Sequence, residues 1–141
     1  MRIIVVSGAH SNVGKTRLSR KLCRLLPGAV YIKIGHGEEK QGIDGYFYHL
    51  GTTFSTINAD HKNASFLVIE SNSILKEITP HCAIYLPAEN PKPSAELARK
   101  KADIIRGNPV SSEKINDLAS RLGTTSTMVQ KLIDCLERNE R

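Results

Sequence analysis

The chain has 141 residues, 40% apolar and 24% charged, which is typical of a globular domain with a real core. No apolar run approaches the length of a membrane span, and Ile3–Val6 is too short for a signal-peptide core, so we expect a cytoplasmic protein. The net charge is +6, and all of the excess lies in residues 1–110, which hold 15 basic and 9 acidic residues. An anionic partner is therefore expected, which could be a nucleic acid, a phosphorylated ligand or an acidic protein.

Cysteine and histidine spacing gives no metal-site pattern. The three cysteines lie far apart without a CxxC pair, and no two of the five histidines have ligand spacing on one helix face. Buried thiols are expected rather than a zinc site or a disulfide framework.

The first half of the chain alternates strand and helix patterns. Continuous β-branched runs predict buried strands, and leucines opposite basic residues predict an amphipathic helix that Pro27-Gly28 ends. The predicted elements are, in chain order, a strand at 2–6, a helix at 15–26, a strand at 29–34, a loop at 35–42, a short helix within 43–53 and a strand at 54–58.

The second half continues this alternation. Its predicted elements are a strand at 65–71, a helical turn at 72–78, a strand at 82–87, a helix at 94–101 capped by Ser94, a strand at 103–107, and helices at about 112–122 and 125–138. The pattern predicts an α/β fold with a mostly parallel sheet and helices on both faces. We expect one domain at 1–110 and a helical hairpin tail at 111–141.

The segment Gly8–Thr16, GAHSNVGKT, is a full match to the P-loop pattern between a strand and a helix. The motif predicts that the α/β domain at 1–110 is P-loop NTPase-like and binds a nucleotide. Glycines allow a tight turn and close approach of the backbone to a ligand, and successive N–H groups then form an anion nest at the helix N-terminus. The lysine supplies charge at the β- and γ-phosphates, and the threonine hydroxyl is placed to bind Mg²⁺. The predicted nucleotide-binding residues are Gly8, Ala9, His10, Ser11, Asn12, Val13, Gly14, Lys15, Thr16 and Arg17, the last having a solvated surface position as its alternative.

A P-loop site also needs an acidic residue at the end of another buried strand, because ligands in parallel sheets bind outside those ends. Glu70 in FLVIES fits this position, and Asp44 in GIDGYFYH faces the same edge. The predicted metal ligands are Thr16, Asp44 and Glu70, and the predicted catalytic residues are Lys15, Asp44 and Glu70. An exposed loop Glu and an ordinary turn Asp are the alternatives for the two acids.

Neither the base nor the reaction can be assigned from motifs. The N/T-K-x-D motif of many guanine-binding proteins is absent, since KKAD at 100–103 lacks the leading residue. No general base, acceptor pocket or charge-stabilising arginine can be assigned, which leaves GTP or ATP as the ligand and slow hydrolysis at most. A small-molecule kinase is an alternative.

Four segments together are similar in order and spacing to the family of molybdopterin-guanine dinucleotide biosynthesis protein B. They are VVSGAHSNVGKTRLSRKL, YIKIGHG, GIDGYFYHLGTT and FLVIES, within residues 1–87. The sequence departs from the family pattern where Ile34-Gly35 separates Lys33 from His36, at Gly42-Ile43, at Gly51-Thr52-Thr53 and at Ser71. These departures indicate a diverged relative whose substrate or pathway differs.

The resemblance implies a GTP-binding accessory protein of molybdenum-cofactor maturation, with weak hydrolysis, a protein partner and commonly a homodimer. It implies positions near Mg²⁺ for Asp44 and Glu70, and a phosphate or partner role for Lys33 and His36.

The tail carries a helix-turn-helix pattern, with Ala119, Gly123 and Val129 at its small, turn and packing positions and a helix cap at 124–126. A DNA reader must neutralise phosphates, yet residues 111–141 hold 5 basic and 5 acidic residues. A hairpin packed on the sheet is favoured, and a helix-turn-helix used for protein contact or dimerisation is a further option. A nucleotide-responsive DNA-binding regulator is the alternative.

Overall fold

The fold, a computed structural model, is described for residues 1–37 and 44–138. Its strands are β1 (Arg2–Gly8), β2 (Ala29–Gly35), β3 (Tyr46–His49), β4 (Phe66–Glu70), β5 (Cys82–Leu86) and β6 (Ile104–Ile105). Its helices are α1 (Lys15–Leu25), α2 (Phe54–Asp60), α3 (Ala95–Lys101), α4 (Ser112–Leu122) and α5 (Ser126–Glu137), with a 3₁₀ helix at Ser73–Lys76. The strands form one all-parallel sheet in the order β3-β2-β4-β1-β5-β6, which confirms the predicted α/β class.

Chain direction places the helices on both faces of this sheet. The connection from β1 to β2 runs one way along the sheet, and the connection from β5 to β6 runs the opposite way. Crossovers between parallel strands are right-handed, so α1 and α3 lie on opposite faces. Helix α1 packs against β2 and β4, and α3 packs against β1 and β5. The strand ends that follow β1 and β4 therefore meet at one edge, between the two helical layers.

Two sequence predictions are wrong, both in the segment between β2 and β4. The predicted helix within 43–53 is instead the strand β3, whose residues pair with β2 from Ile32↔Tyr46 to Gly35↔His49. Aromatic residues fit this pleated edge better than a helix. Residue 43 and residues 38–42 of the predicted loop lie outside the described part of the chain.

The predicted strand at 54–58 is instead α2. A chain passing from β3 to the parallel β4 needs a crossover, and a helix is the usual one. Thr53 caps this helix by accepting a hydrogen bond from the Thr56 backbone N–H, and Ile57 is its buried residue. The β-branched residues suggested a strand, but the crossover requirement overrides that local preference. Helix α3 begins after Ser94 as predicted, although the Ser94 side chain does not cap it.

The tail folds as the predicted helical hairpin. Gly123 ends α4 in a left-handed conformation with φ 64°, and the Thr125 side chain caps α5 by accepting from the Met128 N–H. Helix α5 packs against both α4 and α1. The buried side chains of Leu118, Val129 and Leu132 belong to the same hydrophobic cluster as the central strands. The hairpin thus covers α1 rather than standing apart from it.

Two basic residues of the hairpin are paired with an acid that directly precedes β6. Asp103 accepts from Lys114 and from Arg121, each at 3.1 Å, and Arg121 also pairs with Asp117 at 2.7 Å. These carboxylates neutralise cations that a DNA-binding surface would need for phosphates. The pairing counts against the DNA-binding alternative for the tail.

Within residues 1–37 and 44–138, neither the thiols nor the helices suggest a further function. Cys23, Cys82 and Cys135 form no disulfide. Burial raises the pKa of Cys23 to about 11 and that of Cys82 to about 12, so both thiols are poor nucleophiles at neutral pH. None of the described helices has the length and apolar character needed to cross a bilayer.

His81 joins the start of β1 through a reciprocal pair of hydrogen bonds. The ring Nδ1 of His81 accepts from the Ile3 backbone N–H at 2.9 Å, and the backbone N–H of His81 donates to the Ile3 carbonyl at 2.9 Å. Partial burial, with the positive charges of Arg2, the N-terminus and Arg121, lowers the His81 pKa below its usual value of 6.5. The native state therefore favours the neutral ring, whose Nδ1 can accept.

This histidine is expected to make stability depend on pH. Because its pKa is lower in the folded state, its contribution is complete above the unfolded value near 6.5 and is lost as pH falls through the folded value. Between pH 7.5 and pH 5, the wild type should lose about 1 kcal/mol more unfolding free energy than His81→Gln, whose amide oxygen can still accept. Urea denaturation at both pH values measures this difference. Equal losses in the two proteins would contradict it.

Candidate functional site

The loop between β1 and α1 turns through two residues in the left-handed region. Gly14 is the N-cap of α1 with φ 98°, and Asn12 also has a positive φ, 68°. Asparagine tolerates the left-handed region better than most residues, whereas Gly14 occupies it without strain. A Cβ added at Gly8 would lie 2.6 Å from Val13 Cγ2, so only glycine fits there. The two glycines of the pattern are thus required by geometry.

Asn72, which sequence reasoning missed, holds the start of this loop. Its Oδ1 accepts from the Gly8 N–H at 3.0 Å, and its Nδ2 donates to the Gly8 carbonyl at 2.9 Å. The same Nδ2 donates to Ser94 Oγ at 3.2 Å. Asn72 lies two residues after β4, at the strand edge where ligand-site residues gather, and this position was the available signal.

Two further contacts, both missed from sequence, hold the rest of the loop. The Lys92 backbone N–H donates to the Ala9 carbonyl at 2.7 Å. Arg106, directly after β6, donates from Nη1 to the Val13 carbonyl at 3.2 Å. Ala9 and Val13 are themselves fully buried. The loop is therefore fixed by residues that follow β4, β5 and β6.

The predicted binding side chains differ in how they face the loop. Lys15 is half-buried, and its Nζ donates to the His10 carbonyl at 3.4 Å, so the ammonium lies back over the loop. His10 Nδ1 lies 2.5 Å from the Ser11 carbonyl. Ser11, Asn12 and Arg17 are exposed, and the first turn of α1 contains no acidic residue. The first turn of α1 thus adds no carboxylate of its own to the positive end of the helix.

Glu70 lies at the centre of a buried polar cluster. Its Oε1 accepts from the hydroxyl of Thr16 at 2.9 Å and from that of Tyr31 at 2.5 Å. Its Oε2 accepts from Lys33 Nζ at 3.2 Å, and that ammonium also lies 3.5 Å from Thr16 Oγ1. The Glu70 side chain is only 4% exposed and that of Lys33 is 17% exposed. The predicted acid therefore reaches the predicted threonine, and a lysine from β2 accompanies both.

Tyr31 is a fourth residue that sequence reasoning did not select. Burial first, and then the negative charge of Glu70, raises the pKa of this phenol well above its usual range. The hydroxyl therefore stays protonated and donates to the carboxylate. The apolar surroundings of Tyr31 in the strand AVYIKI gave no sign of this role.

Asp44, the third predicted metal ligand, has a different partner. It pairs on the surface with Arg20 at 2.8 Å, its side chain is 64% exposed, and this hydrogen bond lowers its pKa. Within residues 1–37 and 44–138, no three His, Cys, Asp or Glu side chains are grouped to hold a metal ion. The residues present therefore bring together two of the three predicted magnesium ligands, Thr16 and Glu70, with an ammonium beside them.

A cavity of about 290 Å³ adjoins this cluster. It extends from Lys15 and Glu70 towards the loops after β2, β3 and β5. Its lining includes His36, the remaining predicted residue, which is exposed just after β2, and also Leu50, Ser73 and Lys92. The lining combines basic, hydroxyl and apolar groups, a mixture that suits a small polar ligand.

Comparisons with protein-family models, curated proteins and solved structures gave no match to this chain. An assignment of function therefore depends on the chemistry of the residues just described.

Proposed function

We propose that the Gly8–Thr16 loop is a P-loop that binds the phosphates of a nucleoside triphosphate. One observation carries this proposal. Gly14, which has no side chain and a left-handed backbone, leads directly into an 11-residue helix that begins with Lys15 and Thr16. Backbone N–H groups at such a helix N-terminus favour anions, and a lysine and a hydroxyl in its first turn add charge and a ligand for the terminal phosphates.

The nucleotide is proposed to be GTP, on the resemblance of residues 1–87 to the molybdopterin-guanine dinucleotide protein B family, with ATP as the alternative. On the same ground, the protein is proposed to be a cytoplasmic accessory factor in cofactor maturation that acts with a protein partner and as a homodimer.

Hydrolysis is proposed to be slow at most. A fast hydrolase needs a carboxylate or amide to position water and a cation to stabilise the transition state. Glu70 already accepts hydrogen bonds from Thr16, Tyr31 and Lys33. It is thus poorly suited to take a proton from water.

Calorimetric titration of the wild type with GTP, ATP, GDP and ADP tests the proposal. Preferential binding of GTP supports the cofactor-maturation function. The molar mass of the protein in solution, measured by light scattering, tests the proposed homodimer. Preferential binding of ATP would shift support to other P-loop functions. A folded protein that binds none of the four nucleotides would overturn the proposal.

The cavity next to Lys15 favours a second candidate, a small-molecule kinase. It begins where a terminal phosphate would lie and has room for a small acceptor, which the sequence alone could not show. Transfer of labelled γ-phosphate from the bound nucleotide to a pool of small metabolites would support this function. Release of labelled inorganic phosphate alone would count against it.

A further inference from the structure

The positions at which a P-loop protein holds its divalent cation are occupied here by a lysine. In such proteins Mg²⁺ lies on the hydroxyl that follows the loop lysine and close to a strand-end acid. Here Lys33 Nζ lies 3.5 Å from Thr16 Oγ1 and 3.2 Å from Glu70 Oε2. Strand register enforces this, because Lys33 is paired with Glu70 across β2 and β4. A positive charge is thus built into the fold at this point.

Within residues 1–37 and 44–138, Glu70 is the acid of this cluster, and both of its carboxylate oxygens are already hydrogen-bonded. Glu70 Oε1 accepts from Tyr31 and Thr16, and Oε2 accepts from Lys33. A divalent ion would have to separate an ion pair whose carboxylate is 4% exposed. Magnesium binds through small, strict sets of oxygen ligands and gives up its water reluctantly, so this exchange is unfavourable.

A second acid that could offset this cost is engaged elsewhere. Asp44 is held by the Arg20 guanidinium at the surface, where its side chain is 64% exposed. An ammonium, by contrast, is a compact charge with three donors, which can serve a carboxylate, a hydroxyl and a phosphate oxygen together. The cluster is therefore better suited to a resident ammonium than to a metal ion.

We infer that Lys33 supplies, at the terminal phosphates of the bound nucleotide, the positive charge that Mg²⁺ supplies in other P-loop sites. Triphosphate binding by this protein would then not require a divalent cation. This inference rests on the proposed nucleotide binding.

The test is calorimetric binding of GTP and ATP to the wild type, in buffer with magnesium and in buffer with EDTA. The wild-type affinity for the preferred nucleotide should change less than about threefold between the two buffers. Lys33→Gln should bind about tenfold or more weakly in EDTA, because a charge-assisted contact is lost, and should recover part of that loss when magnesium is added.

Lys62→Gln is the matched control, since it removes an exposed lysine elsewhere and should retain the metal-independent binding of the wild type. Lys33→Arg keeps the positive charge and should bind more tightly than Lys33→Gln in EDTA. A purely structural role for the ion pair would lower the stability of Lys33→Gln, measured by urea denaturation, without making its binding respond to magnesium.

The outcomes separate the inference from the proposed function. Wild-type binding that falls tenfold or more in EDTA overturns the inference and leaves nucleotide binding intact. The same conclusion follows if Lys33→Gln is folded, as judged by circular dichroism, and binds the nucleotide in EDTA as tightly as the wild type does. A folded wild type that binds neither nucleotide in either buffer overturns both.

Discussion

Lys15→Ala is expected to weaken triphosphate binding by about 10- to 150-fold, the effect of losing a charge-assisted contact of roughly 1.5–3 kcal/mol. The Lys15 ammonium lies over the loop, 3.4 Å from the His10 carbonyl, where a bound β- or γ-phosphate would attract it. Diphosphate binding should fall less, because the terminal phosphate is one of the two groups that this lysine serves. Calorimetric titration with tri- and diphosphates measures both effects.

Lys62→Ala is the control for this prediction. Lys62 is exposed between α2 and β4, at the opposite edge of the sheet from the loop. Its removal lowers the net charge by the same amount and should change affinity less than about twofold, since surface charges at a distance are screened. If the two variants lost affinity equally, the attraction would come from overall charge and the loop would not be the binding site.

Leu132→Ala is expected to cost about 2–5 kcal/mol of unfolding free energy, as other buried leucine truncations do. Leu132 is 1% exposed on α5, which packs on α1, and α1 begins at the phosphate loop. Lys131→Ala, one residue away and exposed, should stay within about 0.5 kcal/mol of the wild type. Urea denaturation compares the two variants.

The same experiment tests whether the tail unfolds with the sheet. The chain has no tryptophan, and its four tyrosines all lie in strands, at Tyr31, Tyr46, Tyr48 and Tyr85. Tyrosine fluorescence therefore follows the sheet, whereas far-UV circular dichroism also follows the hairpin helices. Because the buried hairpin residues share one cluster with the strands, the two transitions should coincide. Separate midpoints would contradict this and support a hairpin that folds by itself.

Buried strands and the loop were predictable because their signals are local. Parallel strands covered on both faces read as continuous apolar runs, and FLVIE and CAIYL are of this kind. The edge strand YFYH is half-exposed and only four residues long, so it shows no clear alternation of apolar and polar residues. The identity of α2 depends on a crossover between strands whose order the sequence does not state.

The site was predictable to the extent that it lies in one segment. Gly8, Gly14, Lys15 and Thr16 are close in sequence, and Glu70 was found because a strand end is a strong positional signal. Asn72 and Arg106 were missed since their partners, Gly8 and Val13, lie 64 and 93 residues away. Asp44 was predicted as a metal ligand because its loop faces the same edge of the sheet as the phosphate loop. That position could not show that the Asp44 carboxylate pairs with Arg20 instead.

The hydrogen bonds from Asn72, Lys92 and Arg106 to the loop carry a thermodynamic consequence. Much of the conformational entropy of these nine residues is lost when the chain folds, before any ligand arrives. For the proposed phosphate ligand, association would then need little rearrangement of the loop. Loosening one of these three contacts would slow the capture of that ligand as well as hasten its release, although all three come from outside the loop.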